Sequence, residues 1–290
     1  MVKQMKDDIS EKIREYIAKM PSLPTSVTKV LELCNDPQVS PYDLNHVISL
    51  DPVLVGKILK LVNSAYYGLN GHVTSLVRAI IMLGINTVKN LVLSAAILGN
   101  FSRNKIHQGL NMEGFWRHSF CVGVSAKLLA AKRNVDSKLR EEYFSAGLLH
   151  DIGKIPINDV LNKEYLLTLR EADINRINLN VAESQHLGFD HCEAGAVIVD
   201  AWKLDGPVGD VIIHHHNYSQ YNGPYEDILY SVVAANRFAS IEDIGFSGSR
   251  RLDKIEDYVW EKLGVEEDFF HDILDTVKEE IEKAQVFLKI

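Results

Sequence analysis

The stretch Gly147-Leu148-Leu149-His150-Asp151-Ile152-Gly153-Lys154 puts an imidazole, a carboxylate and an ammonium group at the end of an apolar helical run. His150 and Asp151 together offer a neutral nitrogen and an anionic oxygen, and a carboxylate so placed can hold one cation or bridge two. His150 lines up at helical spacing with Leu139, Tyr143 and Ala146. Four further stretches also set a polar group where that spacing calls for an apolar one. His118 shares a face with Cys121, Val122, Ser125 and Leu129, and His191 shares one with Ala194, Gly195, Ile198 and Trp202. His215, with His216 beside it, follows Val208, Val211 and Ile212, while Asn236 follows Leu229, Val232 and Val233. Seven of the 11 histidines fall between residues 118 and 216.

Taken singly, each of these groups reads as a hydrogen-bonded core residue. Burying five of them unpartnered would cost roughly 1–3 kcal/mol each, so they are expected to satisfy one another through a shared cation or a hydrogen-bond network. The 32 residues from His118 to His150 allow two antiparallel helices and a loop. Imidazoles and carboxylates converging inside a helical bundle suit a divalent transition metal, with iron, manganese, zinc and nickel all compatible. Lys154 is expected either to offset phosphate charge on a substrate or to cap the helix C-terminus. Glu183 is a further candidate ligand or base; His186, five residues before His191, points elsewhere on a continuous helix.

Outward from this centre the chain reads as helical nearly throughout. Val27, Val30, Leu31 and Cys34 mark one buried helix face, Ser40-Pro41 and Asp51-Pro52 mark helix starts, and further helices are expected near 75–83 and 87–99. The final segment, Lys254 to Ile290, reads as two acidic amphipathic helices, and no convincing period-2 run is present. Periodicity breaks near residues 100–112. The expected division is an N-terminal helical subdomain over 1–105 and a polar-centred helical bundle over 106–290.

Composition narrows the function classes. A net charge of −8 argues against nucleic acid as a partner, which calls for clustered Lys and Arg. Three scattered cysteines without a C-x-x-C pair fit free thiols in a reducing cytosol. The N-terminus lacks the apolar stretch of a signal peptide, and the most apolar run, Leu91 to Leu98, falls far short of the ~20 residues that span a bilayer. A cytoplasmic protein without a membrane partner is expected.

The order His118, His150-Asp151, His191, His215-His216 resembles the HD superfamily of metal-dependent phosphohydrolases. Over roughly residues 17–240 the chain is more narrowly similar to the HDOD family, HD-related output domains of bacterial signalling proteins. That pattern stands here as Met20-Pro21-Ser22-Leu23-Pro24, Asp43-Leu44, Asp51-Pro52, Asn63-Ser64-Ala65-Tyr66-Tyr67, Ala79-Ile80 with Leu83-Gly84, Glu183, His191 with Gly195-Ala196, Trp202-Lys203-Leu204 and His215-His216. The resemblance implies an all-α HD-type bundle, signalling proteins as partners, and a metal set of His118, His150, Asp151, His191, His215, His216 and Asn236. If the chain is an enzyme, Asp151 and Lys154 are its catalytic candidates and a small phosphoester, nucleotide or cyclic dinucleotide its substrate.

Two departures stand out. HD phosphohydrolases usually end the ligand set with an aspartate where this chain has Asn236, which removes one negative charge. The Gly-Tyr-Pro motif of the cyclic-di-GMP phosphodiesterase branch is replaced by Asn222-Gly223-Pro224, which turn chemistry alone explains. A regulatory output module is therefore the favoured expectation, and a working phosphohydrolase the alternative.

Overall fold

Short polar side chains and prolines set the helix starts. In a computed structural model, which describes residues 2–20, 22–69, 71–101, 109–249, 253–284 and 286, no strand occurs among the described residues. The N-terminal block holds α1 (Val2–Lys19), α2 (Thr25–Cys34), α3 (Pro41–Ser49), α4 (Pro52–Val62), α5 (Leu76–Leu83) and α6 (Ile85–Phe101). Ser40 caps α3 in a reciprocal box with Asp43, and the Asp51 carboxylate accepts from the Leu54 amide at the start of α4. Gly84, at φ +86°, separates α5 from α6 and lets the chain turn by 117° between them. No single described helix is both long and apolar enough to cross a membrane.

The later block comprises α7 (Met112–Lys132), α8 (Arg140–Leu149), α9 (Lys154–Val160), α10 (Asn162–Asn175), α11 (Leu179–His186), α12 (His191–Trp202), α13 (Pro207–His214) and α14 (Glu226–Ile241). It ends with α15 (Asp257–Leu263), α16 (Phe269–Asp272) and α17 (Leu274–Ala284). Among its described residues the C-terminal segment makes three helices where two were expected. Gly264 ends α15 in the left-handed conformation, and a further break at Ile273, which carries no glycine or proline signal, separates α16 from α17.

The α7 helix runs through the centre and packs against α8, α14 and α17. Its contact with α8 is a backbone contact: a Cβ on Gly147 would lie 2.7 Å from Gly123 Cα. Buried apolar residues from Ile9 to Ala284 form one contiguous cluster that includes both blocks. The expected boundary at 105–106 lies outside the described residues.

The tyrosines of the segment Asn63–Tyr67, just past the end of α4, pack against the core. Asn63 donates to the Leu59 and Val73 carbonyls (both 2.8 Å) and accepts from the Val73 amide (2.7 Å), which ties the loop after α4 to itself. Lys127 of α7 donates to the Tyr66 hydroxyl at 3.1 Å and pairs with Glu141 at the start of α8.

Candidate metal centre

Five elements bring polar side chains to one point. The α7 and α14 helices place His118 Nε2 2.9 Å from Asn236 Oδ1. His150 caps the C-terminus of α8, where its Nδ1–H donates to the Gly147 carbonyl at 2.7 Å. That bond leaves the Nε2 lone pair facing inward, 3.2 Å from Asp151 Oδ2 and without a hydrogen-bond partner. Asp151 is completely buried, and its two oxygens have different surroundings. Oδ2 accepts from Lys154 Nζ at 2.7 Å, whereas Oδ1 makes no hydrogen bond.

Facing Oδ1 are His191 Nε2 at 3.4 Å and His215 Nε2 at 3.5 Å, and these nitrogens lie 3.3 Å from each other. Both imidazoles are oriented from behind. His191, the first residue of α12, donates through Nδ1 to the Glu183 carboxylate at 2.6 Å, and its backbone amide reaches the same oxygen at 2.9 Å. His215, just past α13, donates through Nδ1 to the Val211 carbonyl at 3.0 Å. With each Nδ1 acting as the donor, the neutral rings turn both Nε2 atoms toward each other and toward a carboxylate oxygen, an arrangement suited to a cation between them, whether a proton on His191 or a metal ion. A triangle with sides of 3.3, 3.4 and 3.5 Å has a centre about 2.0 Å from each corner, the length of a transition-metal bond to imidazole nitrogen or carboxylate oxygen. The donor set therefore fits a metal ion.

Electrostatics divide the rings. Burial, reinforced by His150, pushes His118 down to about 3, and burial with His215 and His191 holds His216 well below the ordinary histidine value. Burial alone would lower His191 too, but the Glu183 carboxylate overrides it and raises the ring to about 9. Burial raises Asp151, yet His150 and Lys154 beside it keep the carboxyl well below the usual carboxylate range.

The ligand atoms fall into two groups that share Asp151. One is Asp151 with His191, His215 and His216; the other is His118 and His150 with Asp151. His216 is only half-buried, and with His215 and Asn236 it borders a cavity of about 170 Å³ whose other walls include Tyr218, Arg237 and Lys254. All seven residues expected to ligate thus lie around one buried point.

Lys154 corrects one expectation. It begins α9 and is 1% exposed, and its ammonium reaches Asp151 and, at 3.4 Å, the Ser247 hydroxyl rather than the α8 carbonyls or the cavity. Glu183 is likewise neither at the centre nor free to act as a base. Its oxygens are taken by His191 and by the Tyr165 hydroxyl at 2.7 Å. Ser247, Tyr165 and Gly153 had no periodic signal to mark them. Gly153 is required by a close approach, since a Cβ there would lie 1.9 Å from the His191 carbonyl oxygen. Outside the centre, His186 pairs with Glu171, and His46, His72 and His271 are exposed.

Comparisons with known proteins agree with this architecture. A family model described as HDOD domain matches residues 20–218. An uncharacterized protein of Treponema pallidum (strain Nichols) is 28% identical over 231 residues, which are 79% of this chain and 44% of that protein, so the chain spans less than half of that relative's length. The crystal structure of an HDOD domain protein with unknown function from Geobacter sulfurreducens is 26% identical, with a TM-score of 0.76 over 99% of this chain and 98% of that one. Two more distant structures share the fold. A protein from Marinobacter aquaeolei, named as a candidate signal transduction protein, is 20% identical, with a TM-score of 0.77 over 99% of this chain and 66% of that one. One from Shewanella amazonensis, named as a candidate metal-dependent phosphohydrolase, is 19% identical, with a TM-score of 0.61 over 98% of each chain.

Proposed function

The chain belongs to the HDOD domain family, and on that premise we propose that it is a bacterial signal-transduction output module organised around a buried divalent-metal centre, without hydrolytic turnover. Its partners in this reading are signalling proteins that bind its helix faces in the cytoplasm. The metal set is drawn from His118, His150, Asp151, His191, His215, His216 and Asn236. Iron, manganese, zinc and nickel all remain compatible, because imidazole suits iron, nickel and zinc while carboxylate suits manganese.

The observation that carries the non-hydrolytic reading is the contact of Asn236 with His118 at 2.9 Å. An amide in place of a carboxylate removes one of the few negative charges available to neutralise a metal. Changes in groups that merely orient ligands commonly cost about 10–100-fold in metal affinity, and a change in a ligand costs at least as much. Lys154 points the same way, since its ammonium is held against Asp151 and turned from the cavity where a phosphoester would enter.

The second reading is a metal-dependent phosphohydrolase with Asp151 and Lys154 in catalytic roles, and the cavity beside His216 favours it. Its walls include Arg237 and Lys254, and its volume suits a small phosphoester rather than a cyclic dinucleotide. A divalent metal at such a site lowers the pKa of bound water towards ~7 and polarises a phosphoryl oxygen.

The deciding experiment is metal analysis of untagged protein after reconstitution with iron or manganese, followed by incubation with cyclic dinucleotides and simple phosphoesters. Bound metal without turnover is the expected result. Turnover by the wild-type chain would refute the non-hydrolytic reading, and no bound metal at all would refute the centre itself. An Asn236→Asp variant that gains phosphoesterase activity would identify the amide as the disabling change.

A further inference from the structure

We infer that the centre holds one metal ion rather than two, bound by Asp151, His191, His215 and His216, and that the Lys154 ammonium takes the place of a second cation. This rests on the metal-binding reading above.

The first support is the division of Asp151. A carboxylate that bridges two metals gives one oxygen to each. Here Oδ2, the oxygen on the His150 side, already accepts from Lys154 at 2.7 Å, and only Oδ1 is unpartnered. Lys154 is itself buried and held on that oxygen, so an ion on that side would have to displace it.

The second support is the state of the two halves without an ion. His118 and Asn236 satisfy each other directly at 2.9 Å, one offering N–H and the other C=O. His191 and His215 meet each other at 3.3 Å, with Asp151 Oδ1 at 3.4 and 3.5 Å from the same two nitrogens. With both Nδ1 atoms committed to acceptors, their inward nitrogens and Asp151 Oδ1 form a compact triangle of potential ligand atoms. The other half leaves one nitrogen, His150 Nε2, unpartnered, whereas this half brings three donor atoms within 3.5 Å of one another, the dimensions of a metal site. His216, whose ring centroid is 4.9 Å from that of His191 and 4.4 Å from that of His215, supplies the fourth donor.

The third support is charge. Asp151 is the only carboxylate among the ligands, and Glu183 stands behind His191. One divalent ion plus Lys154 sets three positive charges against these two negative ones. A second ion would set five against two, in a site with no further anion at hand because Asn236 is neutral.

The test is metal stoichiometry on the full chain reconstituted with Mn(II), read by elemental analysis and by electron paramagnetic resonance. Wild type is expected to bind one Mn(II) per chain with the signal of an isolated ion. His215→Ala should lower occupancy by at least roughly tenfold at sub-saturating metal, whereas His118→Ala should stay within about twofold of wild type. Lys154→Met, which removes the ammonium but keeps the length of the side chain, should raise the ratio towards two. His215→Gln and His118→Gln provide a second pair if an alanine variant does not give the wild-type circular dichroism. Two ions in wild type, or a His118 variant as empty as the His215 variant, would overturn the single-ion inference and leave the metal-binding reading intact. No metal under any condition would overturn both.

Discussion

Gly147→Ala separates helix propensity from helix packing, because the two predict opposite signs. On propensity alone, alanine for glycine inside a helix stabilises by about 1 kcal/mol. Packing says otherwise: the new Cβ would stand 2.7 Å from Gly123 Cα, 2.8 Å from Gly123 N and 2.9 Å from the Val122 carbonyl carbon. All three are α7 backbone atoms, so no side chain can swing aside. Bringing them to an ordinary contact of about 3.5–4.0 Å requires α7 and α8 to part by close to an ångström. Overpacking of this kind costs about 1–3 kcal/mol, and a backbone-to-backbone clash belongs at the upper end.

The net expectation for Gly147→Ala is a loss of about 2 kcal/mol, or a drop in Tm of roughly 4–8 °C for a chain of this size. Gly56, in α4, is the control: a Cβ there meets nothing within 4 Å, so Gly56→Ala should raise Tm slightly. Thermal unfolding followed by circular dichroism measures both. A Gly147→Ala protein as stable as wild type, or more so, would refute the backbone contact. Its His150 would also shift, because the Gly147 carbonyl is what fixes that ring.

Two further expectations concern buried polar groups. Glu183→Gln keeps the shape behind His191 but removes the carboxylate that orients it, so metal affinity should fall about 10–100-fold in a chelator competition. Glu183→Ala should in addition destabilise the fold by about 1–3 kcal/mol for each donor left without an acceptor, Tyr165 among them, as chemical denaturation would reveal. Burial pushes the Cys34 thiol up to about 11 and Cys121 to about 12. At pH 8 only about one Cys34 in a thousand is then thiolate, against about a quarter for a free thiol, and reaction with a disulfide reagent should be over 100-fold slower than in the unfolded chain. The rate should climb about tenfold per pH unit between 8 and 10, and rapid labelling at pH 8 would contradict the burial.

Helix starts were legible because their chemistry is local. Ser40-Pro41 and Asp51-Pro52 carry cap and proline within two residues, and both begin helices as expected. The five polar breaks in apolar faces were legible for the same reason, since a period of 3.6 residues says which side chains share a face. What each face meets is not local. Glu183 and His191 sit on different helices, and the turn between α11 and α12 decides that they touch. Lys154 could be placed one turn beyond His150, but its second partner, Ser247, comes 93 residues later. The pairing of Gly123 with Gly147 follows from the α7–α8 crossing, and neither glycine announces it. The break at Ile273 leaves no mark because no glycine or proline stands there.

The unequal burial of the donors has a consequence for how an ion comes and goes. His118, His150, Asp151, His191 and His215 are at most 3% exposed, and His216 alone of the imidazole and carboxylate donors is half-open to the cavity. An ion held as proposed above would have His216 as its donor on the solvent side and would have to leave while the buried donors still held it. Exchange is then slow and governed by opening of the fold at that mouth. An ion acquired while the chain folds would then be retained over one offered afterwards, whatever its place in the first-row affinity order.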